Sequence, residues 1–303
     1  MERAVGIFRA LTGRCTISPP PNRPYDFAVA GVQKGGTTSL THHLSSHPEL
    51  CVHGAVGSLM LHFALSSRRR SLAVHPCKVT CPIMRGVVDS GASWFFGNDA
   101  HHGRDILQAL WQTPSTPVRL VLLVREPVQR AFSAYNMGRS RNFSHENRYR
   151  TFDELVVHEL PMLQGGRPST FVRDKVTGLP LYPMDYLRYG LYGAQLDALE
   201  RAGYVSSGNK LLLLISERTL RNASGERARL WSFLGVQQRT NTSSPWDFHG
   251  RYYPSVPLTE WAVRTLHSAY RSSTERVYRV MGGRIEEWEA WYASRGIRGA
   301  SPT

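Results

Sequence analysis

"FAVAGVQKGGTTSL", Phe27 to Leu40, decides the reading of this chain. The apolar run Phe27-Ala28-Val29-Ala30 predicts a buried strand that breaks at a glycine turn. Thr37-Thr38-Ser39-Leu40 leave the turn as the start of a helix. Leu40 and Leu44 stand one helical turn apart, and the helix must stop before Pro48. A strand, a glycine turn and a helix direct backbone N–H groups and the positive helix end at one spot, the arrangement that holds phosphate-like anions.

Outward from this unit, Leu120 to Val124 form an apolar run typical of a central parallel strand, ended by Arg125 and Pro127. Pro127 suits the first turn of a helix, "PVQRAFSAYNM", with Val128, Ala131, Phe132 and Tyr135 at helical spacing. "RGVVDS" around Asp89 reads as a short buried strand and "KLLLLIS" from Lys210 as another. Residues 138–185 read as a polar insertion with turn residues. "YLRYGLYGAQLDALERAG" reads as one amphipathic helix, with Leu187, Leu191, Leu196 and Leu199 on its apolar side and Gly203 as its C-cap. Ser224 is placed to cap the helix "GERARLWSFLG", and a last helix runs from about Thr259 to Met281.

Apolar strands separated by helices predict an α/β fold of P-loop-like, three-layer form, with a central parallel sheet and helices on both faces. Ligands on such sheets sit at the carboxyl ends of the strands, where Gly31–Ser39 and Arg125 both fall. The proline-rich "SPPPNRP" cannot join a sheet. The expected division is a tail over 1–24, one domain over 25–295 and a short tail over 296–303.

The 303 residues are 41% hydrophobic and 20% charged, an ordinary globular composition. Lys+Arg number 37 against 23 Asp+Glu, a formal charge of +14, mostly arginine, which favours forked contacts to phosphate, sulfate or carboxylate. The expected partner is an anionic small molecule or polyanion rather than a nucleic acid, with Arg68-Arg69-Arg70 as one basic patch. Cys15, Cys51, Cys77 and Cys81 follow no strong pattern. Cys77 and Cys81 have a spacing open to a local disulfide in an oxidising compartment, to buried thiols, or to a zinc site that no second pair completes. Sequons at Asn142, Asn222 and Asn241 suit a luminal chain, whereas the N-terminus has no apolar run of signal length and no segment reaches the about 18 apolar residues of a membrane span.

A nucleoside triphosphatase loop reads G-x-x-x-x-G-K-[ST]. Aligning Gly31 and Gly36 with its glycines puts Thr37 where its lysine belongs and Lys34 inside the turn. A nucleotide kinase would also need an acidic magnesium partner after a strand, and only Asp89 could serve.

"GVQKGGTTSLTHHLSSHPEL" resembles the 5′-phosphosulfate loop of sulfotransferases that use 3′-phosphoadenylyl sulfate (PAPS), above all the heparan sulfate branch, whose loops read much like G-V-R-K-G-G-T followed by L-x-x-H-P. "RLVLLVREPVQRAFSAYNM" resembles the second motif of that family, a strand, an arginine, an acidic-Pro pair and a serine eight residues after the arginine. "HGRYYP", His249 to Pro254, is similar to its K-G-R-x-[YH]-P segment. The resemblance implies that Lys34, Gly35, Gly36, Thr37, Thr38 and Ser39 hold the phosphosulfate, and that Arg125 and Ser133 hold the 3′-phosphate. It implies that His249, Gly250, Arg251, Tyr252 and Tyr253 enclose the rest of the donor. Lys34 would neutralise the bridging oxygen as the S–O bond breaks, a reaction that needs no metal ion.

The acceptor side departs from the family. Its glutamate base, in a segment like E-V-H-F-F, faces "LMLHF" here, with Met60 at the glutamate's place, and its E-K-T-P-x-Y-F lysine is matched by Ser90. Candidate bases are His62, His53 and Asp89. The expected activity is transfer of SO3 to a hydroxyl or amine of an acceptor, a carbohydrate of glycosaminoglycan type in this reading. The alternatives are a binder of the donor or of sulfated glycan without transfer, and a P-loop kinase. Resemblance points to the Golgi lumen; the lack of a signal or anchor points to a soluble chain.

Overall fold

The structure is a computed structural model that describes residues 26–55, 84–89, 118–140, 149–164, 172–173, 180–181, 186–206, 208–238 and 257–297. These fall into two compact units, one of the residues up to Val124 with those from Ser206 to 238, the other of those from Arg125 to Val205 with 257–297.

The first unit is built on five parallel strands: β1 (Phe27–Val29), β2 (Leu50–Ala55), β3 (Met84–Asp89), β4 (Arg119–Val124) and β7 (Leu211–Ile215), in the order β2-β3-β1-β4-β7. Val29, Val121 and Leu212 lie side by side in register. On that face Phe27, Val29, Val121, Leu123, Leu212 and Leu214 pack with Leu40 and Leu44 of α1 (Thr37–Ser45) and with Leu230, Trp231 and Leu234 of α6 (Ala223–Leu234). Between β7 and α6 lies the short α5 (Ser216–Arg221). Ala28, Leu120, Leu122 and Val124 alternate onto the opposite face and are equally buried, as the continuous apolar runs require. The Phe27 ring lies across Gly86, where a Cβ would collide with it.

β2 was not foreseen. It pairs with β3 from Leu50↔Met84 to Ala55↔Asp89 and forms one edge of the described sheet. Cys51 in this strand is buried and disulfide-bonded, while the other three cysteines lie outside the described residues.

The second unit holds α2 (Pro127–Ser140), α3 (Phe152–Gln164), the two-residue strands β5 (Val172–Arg173) and β6 (Pro180–Leu181), α4 (Tyr192–Arg201), α7 (Glu260–Met281) and α8 (Glu286–Ala293). Its core gathers Val128, Ala131, Tyr135, Phe152, Leu155, Leu187, Val263, Leu266, Tyr270 and Tyr292. α3 corrects the expectation of an irregular insertion over 138–185. Thr151 Oγ1 accepts from Glu154 N–H at 3.1 Å, and the Glu154 carboxylate reaches back to Arg150 N–H at 2.7 Å, so a capping pair starts the helix. The single helix expected from Tyr186 is instead a 3-10 turn at Arg188–Gly190 followed by α4. Asn222, not Ser224, caps α6.

Candidate functional site

The loop between β1 and α1 is clamped to the end of β4. Ala30 N–H donates to Val121 O (3.0 Å), Val32 N–H to Leu123 O (2.9 Å), and Leu123 N–H to Gly31 O (2.8 Å). The turn is forced by three residues in the left-handed region, Gly31 (φ 128°), Lys34 (φ 68°) and Gly36 (φ 100°). Of these Lys34 alone carries a side chain, in a conformation that costs an L-residue about 1–2 kcal/mol. A bulky residue held there is an invitation to look for function.

Gly35 has a different part from the one expected. Its N–H donates to Val32 O at 2.9 Å, closing the turn, so it is not one of the donors offered to a ligand. A Cβ on it would strike Leu123 O, so the glycine lets the turn lie flat against β4. Gly36 leads into α1, whose first helical bond is Leu40 N–H to Gly36 O at 3.1 Å. Thr37 and Thr38, in the first turn, therefore have no acceptor four residues back inside the helix for their N–H groups. No side chain caps α1, and no acidic residue stands in its first turn, so nothing on the helix neutralises its positive end. Thr37 and Ser39 are buried and Thr38 is exposed.

The H-P turn that follows α1 is a structural pin. Glu49 N–H donates to His47 Nδ1 (3.2 Å), which leaves the proton on Nε2 to donate to Gln237 O (2.9 Å), and the ring packs on Trp231 at 4.8 Å. The Glu49 carboxylate accepts from Gln237 N–H at 2.8 Å. These bonds tie the end of α1 to the segment after α6. His43, buried in α1, is held neutral because burial, and then the Arg227 charge, pull its pKa from 6.5 down to about 4.

In the second unit, Arg125 follows β4 directly and is half-buried, and its carbonyl accepts from the Tyr192 hydroxyl at 2.8 Å. Glu126, fully buried, turns its carboxylate onto the start of α2, accepting from Val128 N–H (3.0 Å) and Gln129 N–H (2.7 Å) and from the Tyr292 hydroxyl. Burial and then the Glu126 charge push the Tyr292 phenol up, which keeps it a donor. The N-terminus of α2 is thus occupied by its own carboxylate, unlike that of α1. Ser133, half-buried, lies about two turns into α2.

His53 lies on β2 opposite Val87, and Asp89 ends β3 opposite Ala55. His62 and His249, Gly250, Arg251, Tyr252 and Tyr253 lie outside the described residues. Sequence reading marked Glu126 only as the acidic member of the acidic-Pro pair and missed both its capping role and the anchor Tyr192, although an acidic residue just before a helix-starting proline is itself a cap signal.

The fold compares with solved structures as the loop suggests. A crystal structure of a sulfotransferase from Alicyclobacillus acidocaldarius superposes with a TM-score of 0.57 at 18% identity, covering 90% of this chain and 99% of that one. The fold is that of a sulfotransferase. Among curated proteins, heparan sulfate glucosamine 3-O-sulfotransferase 3B1 from Mus musculus is 25% identical over 211 residues, 69% of this chain and 46% of that protein. Heparan sulfate glucosamine 3-O-sulfotransferase 6 from Homo sapiens is 26% identical over 295 residues, 88% of this chain and 74% of that protein. The chain spans less than half the length of the first of these sulfotransferase relatives. No family model matches the chain. The relatives agree with the resemblance drawn from the loop and strand motifs, to sulfotransferases and to their heparan sulfate branch.

Proposed function

We propose that this chain is a PAPS-dependent sulfotransferase that moves a sulfuryl group to a hydroxyl or amine of an anionic glycan. The observation that carries the reading is the Gly31–Ser39 loop, a turn locked onto β4 that leads into a helix end with no cap of its own and holds Lys34 at positive φ. The N–H groups of Thr37, Thr38 and Ser39 would receive the phosphosulfate. Lys34 would meet the bridging oxygen. Arg125 and Ser133 would take the 3′-phosphate, on the family's spacing, with Tyr192 and Glu126 fixing the backbone from which Arg125 departs.

In the reaction an acceptor oxygen or nitrogen attacks sulfur in line, the new O–S or N–S bond forms, and the bond from sulfur to the bridging oxygen breaks. The acceptor's proton passes to a base, and 3′-phosphoadenosine 5′-phosphate departs with the charge that Lys34 offsets. His62, His53 and Asp89 are the proposed candidates for the base. The net charge of +14 supports an acidic acceptor, and the relatives' names support a heparan-type glycan. The bridged Cys51 supports an oxidising lumen, such as the Golgi, as the place of work. Among the described residues no helix is long and apolar enough to cross a membrane.

The test is transfer of radiolabelled sulfate from PAPS to desulfated heparan and to simple sugar and amine acceptors. Label on a glycan, lost in Lys34→Ala, supports the proposal. Donor binding with no label on any acceptor would make the chain a binder, and magnesium-dependent ATP hydrolysis would return it to the kinase reading.

A further inference from the structure

We infer that Asn222 is an N-glycosylation site, carried on the joint between α5 and α6. Asn222-Ala223-Ser224 is the one sequon among the described residues, and the position is exposed. Its middle residue is not proline and neither is Gly225, so nothing blocks the acceptor sequence. Its backbone (φ −131°, ψ 60°) stands outside both helices.

The two ends of the Asn222 amide have separate work. Oδ1 accepts from Gly225 N–H at 3.1 Å, capping α6, and from Ser224 Oγ at 3.3 Å. The hydroxyl and amide that a sequon must present together are thus already adjacent. Nδ2, the atom that would carry the sugar, donates to no partner among the described residues. It lies over Gly225, where a Cβ would collide with it, so the glycine leaves the amide its room. A glycan on Nδ2 leaves Oδ1 free to keep capping, and modification is compatible with the folded helix.

A second, independent observation places the chain where such chemistry occurs. Cys51 is disulfide-bonded, and structural disulfides persist in the oxidising secretory lumen. There the anomeric C–O bond of a lipid-pyrophosphate-linked oligosaccharide breaks, a C–N bond to Nδ2 forms, and the amide proton and lipid pyrophosphate leave, with no change of oxidation state. This inference does not depend on sulfuryl transfer.

The full chain is produced in cultured animal cells behind a cleavable secretion leader, released with peptide N-glycosidase in heavy-oxygen water, and its Asn222 peptide read by mass spectrometry. The expected result is conversion of most Asn222 to aspartate bearing the heavy oxygen. Ser224→Ala should abolish the label and remove one step of gel mobility, while leaving the circular dichroism spectrum and the Cys51 bridge intact. Ser224→Thr should keep the label. An unmodified Asn222 peptide from wild type with Cys51 bridged, in the medium or in the retained pool, would overturn the inference.

Discussion

Lys34 holds a backbone conformation that lysine avoids, in a turn whose flanking Val32 N–H and Gly35 N–H are bonded to Leu123 O and Val32 O. Lys34→Gly should raise stability by about 1 kcal/mol, because glycine adopts φ 68° without strain, while removing the charge proposed to meet the bridging oxygen. Thermal unfolding and sulfate transfer measured together should therefore move in opposite directions, with transfer down about 10²–10³-fold. Gly35→Ala should do the reverse of Lys34→Gly for stability. Its Cβ meets backbone at Leu123 O, which cannot step aside, so a loss of about 1–3 kcal/mol is expected in urea unfolding. At this scale the sequence was legible where a motif has fixed spacing, as with Gly31, Lys34 and Gly36. It was misleading for Gly35, whose N–H looked like a ligand donor but closes the turn on Val32 O, a bond that composition and spacing do not show.

Helices and strands were readable to the extent that their signals are local. The apolar runs of β4 and β7 and the pairing of Thr259 Oγ1 with Ala262 N–H at the head of α7 follow from nearest neighbours in sequence. α3 was also local, since Thr151 and Glu154 form a capping pair, but Pro161 within it and the polar residues around it masked the pattern. The break at Gly190 was not local. A Cβ there would press on the Tyr270 ring, and Gly193 N–H bonds Ser273 Oγ at 2.8 Å, so α4 takes its start from α7, 80 residues away. β2 escaped because an edge strand of mixed polarity has no continuous apolar run. Glu126 anchors the start of α2 through Val128 N–H and Gln129 N–H. Glu126→Ala leaves Val128 N–H, Gln129 N–H and the Tyr292 hydroxyl without their acceptor, and should cost about 2 kcal/mol or more in denaturant midpoint. Arg125 would then lose its fixed origin, so affinity for the sulfate donor should fall even at temperatures where the variant stays folded.

For the molecule as a whole, charge and pH set the conditions. Folded His43 stays neutral down to about pH 4 whereas the unfolded residue protonates at about 6.5. Its contribution to stability is complete above pH 6.5 and is lost progressively as pH falls toward 4, because over that window the unfolded chain binds the extra proton. Urea midpoints taken through the window should decline in wild type, and His43→Gln should flatten that decline. The +14 charge has a separate signature, since an acidic acceptor drawn by it should show a KM that rises with salt while kcat holds. Composition gave this charge directly, but the bridge at Cys51 had no signature in the cysteine spacing and emerged only with the fold.

The proposed donor site is tested most directly by calorimetric titration with 3′-phosphoadenosine 5′-phosphate, against 5′-AMP as control, for wild type, Lys34→Ala and Arg125→Ala. Wild-type binding should be tight and require the 3′-phosphate, weaken in Lys34→Ala, and collapse toward the 5′-AMP value in Arg125→Ala. Equal affinity for the two nucleotides in wild type would contradict the proposed site, leaving the Gly31–Ser39 loop a shared scaffold with another ligand.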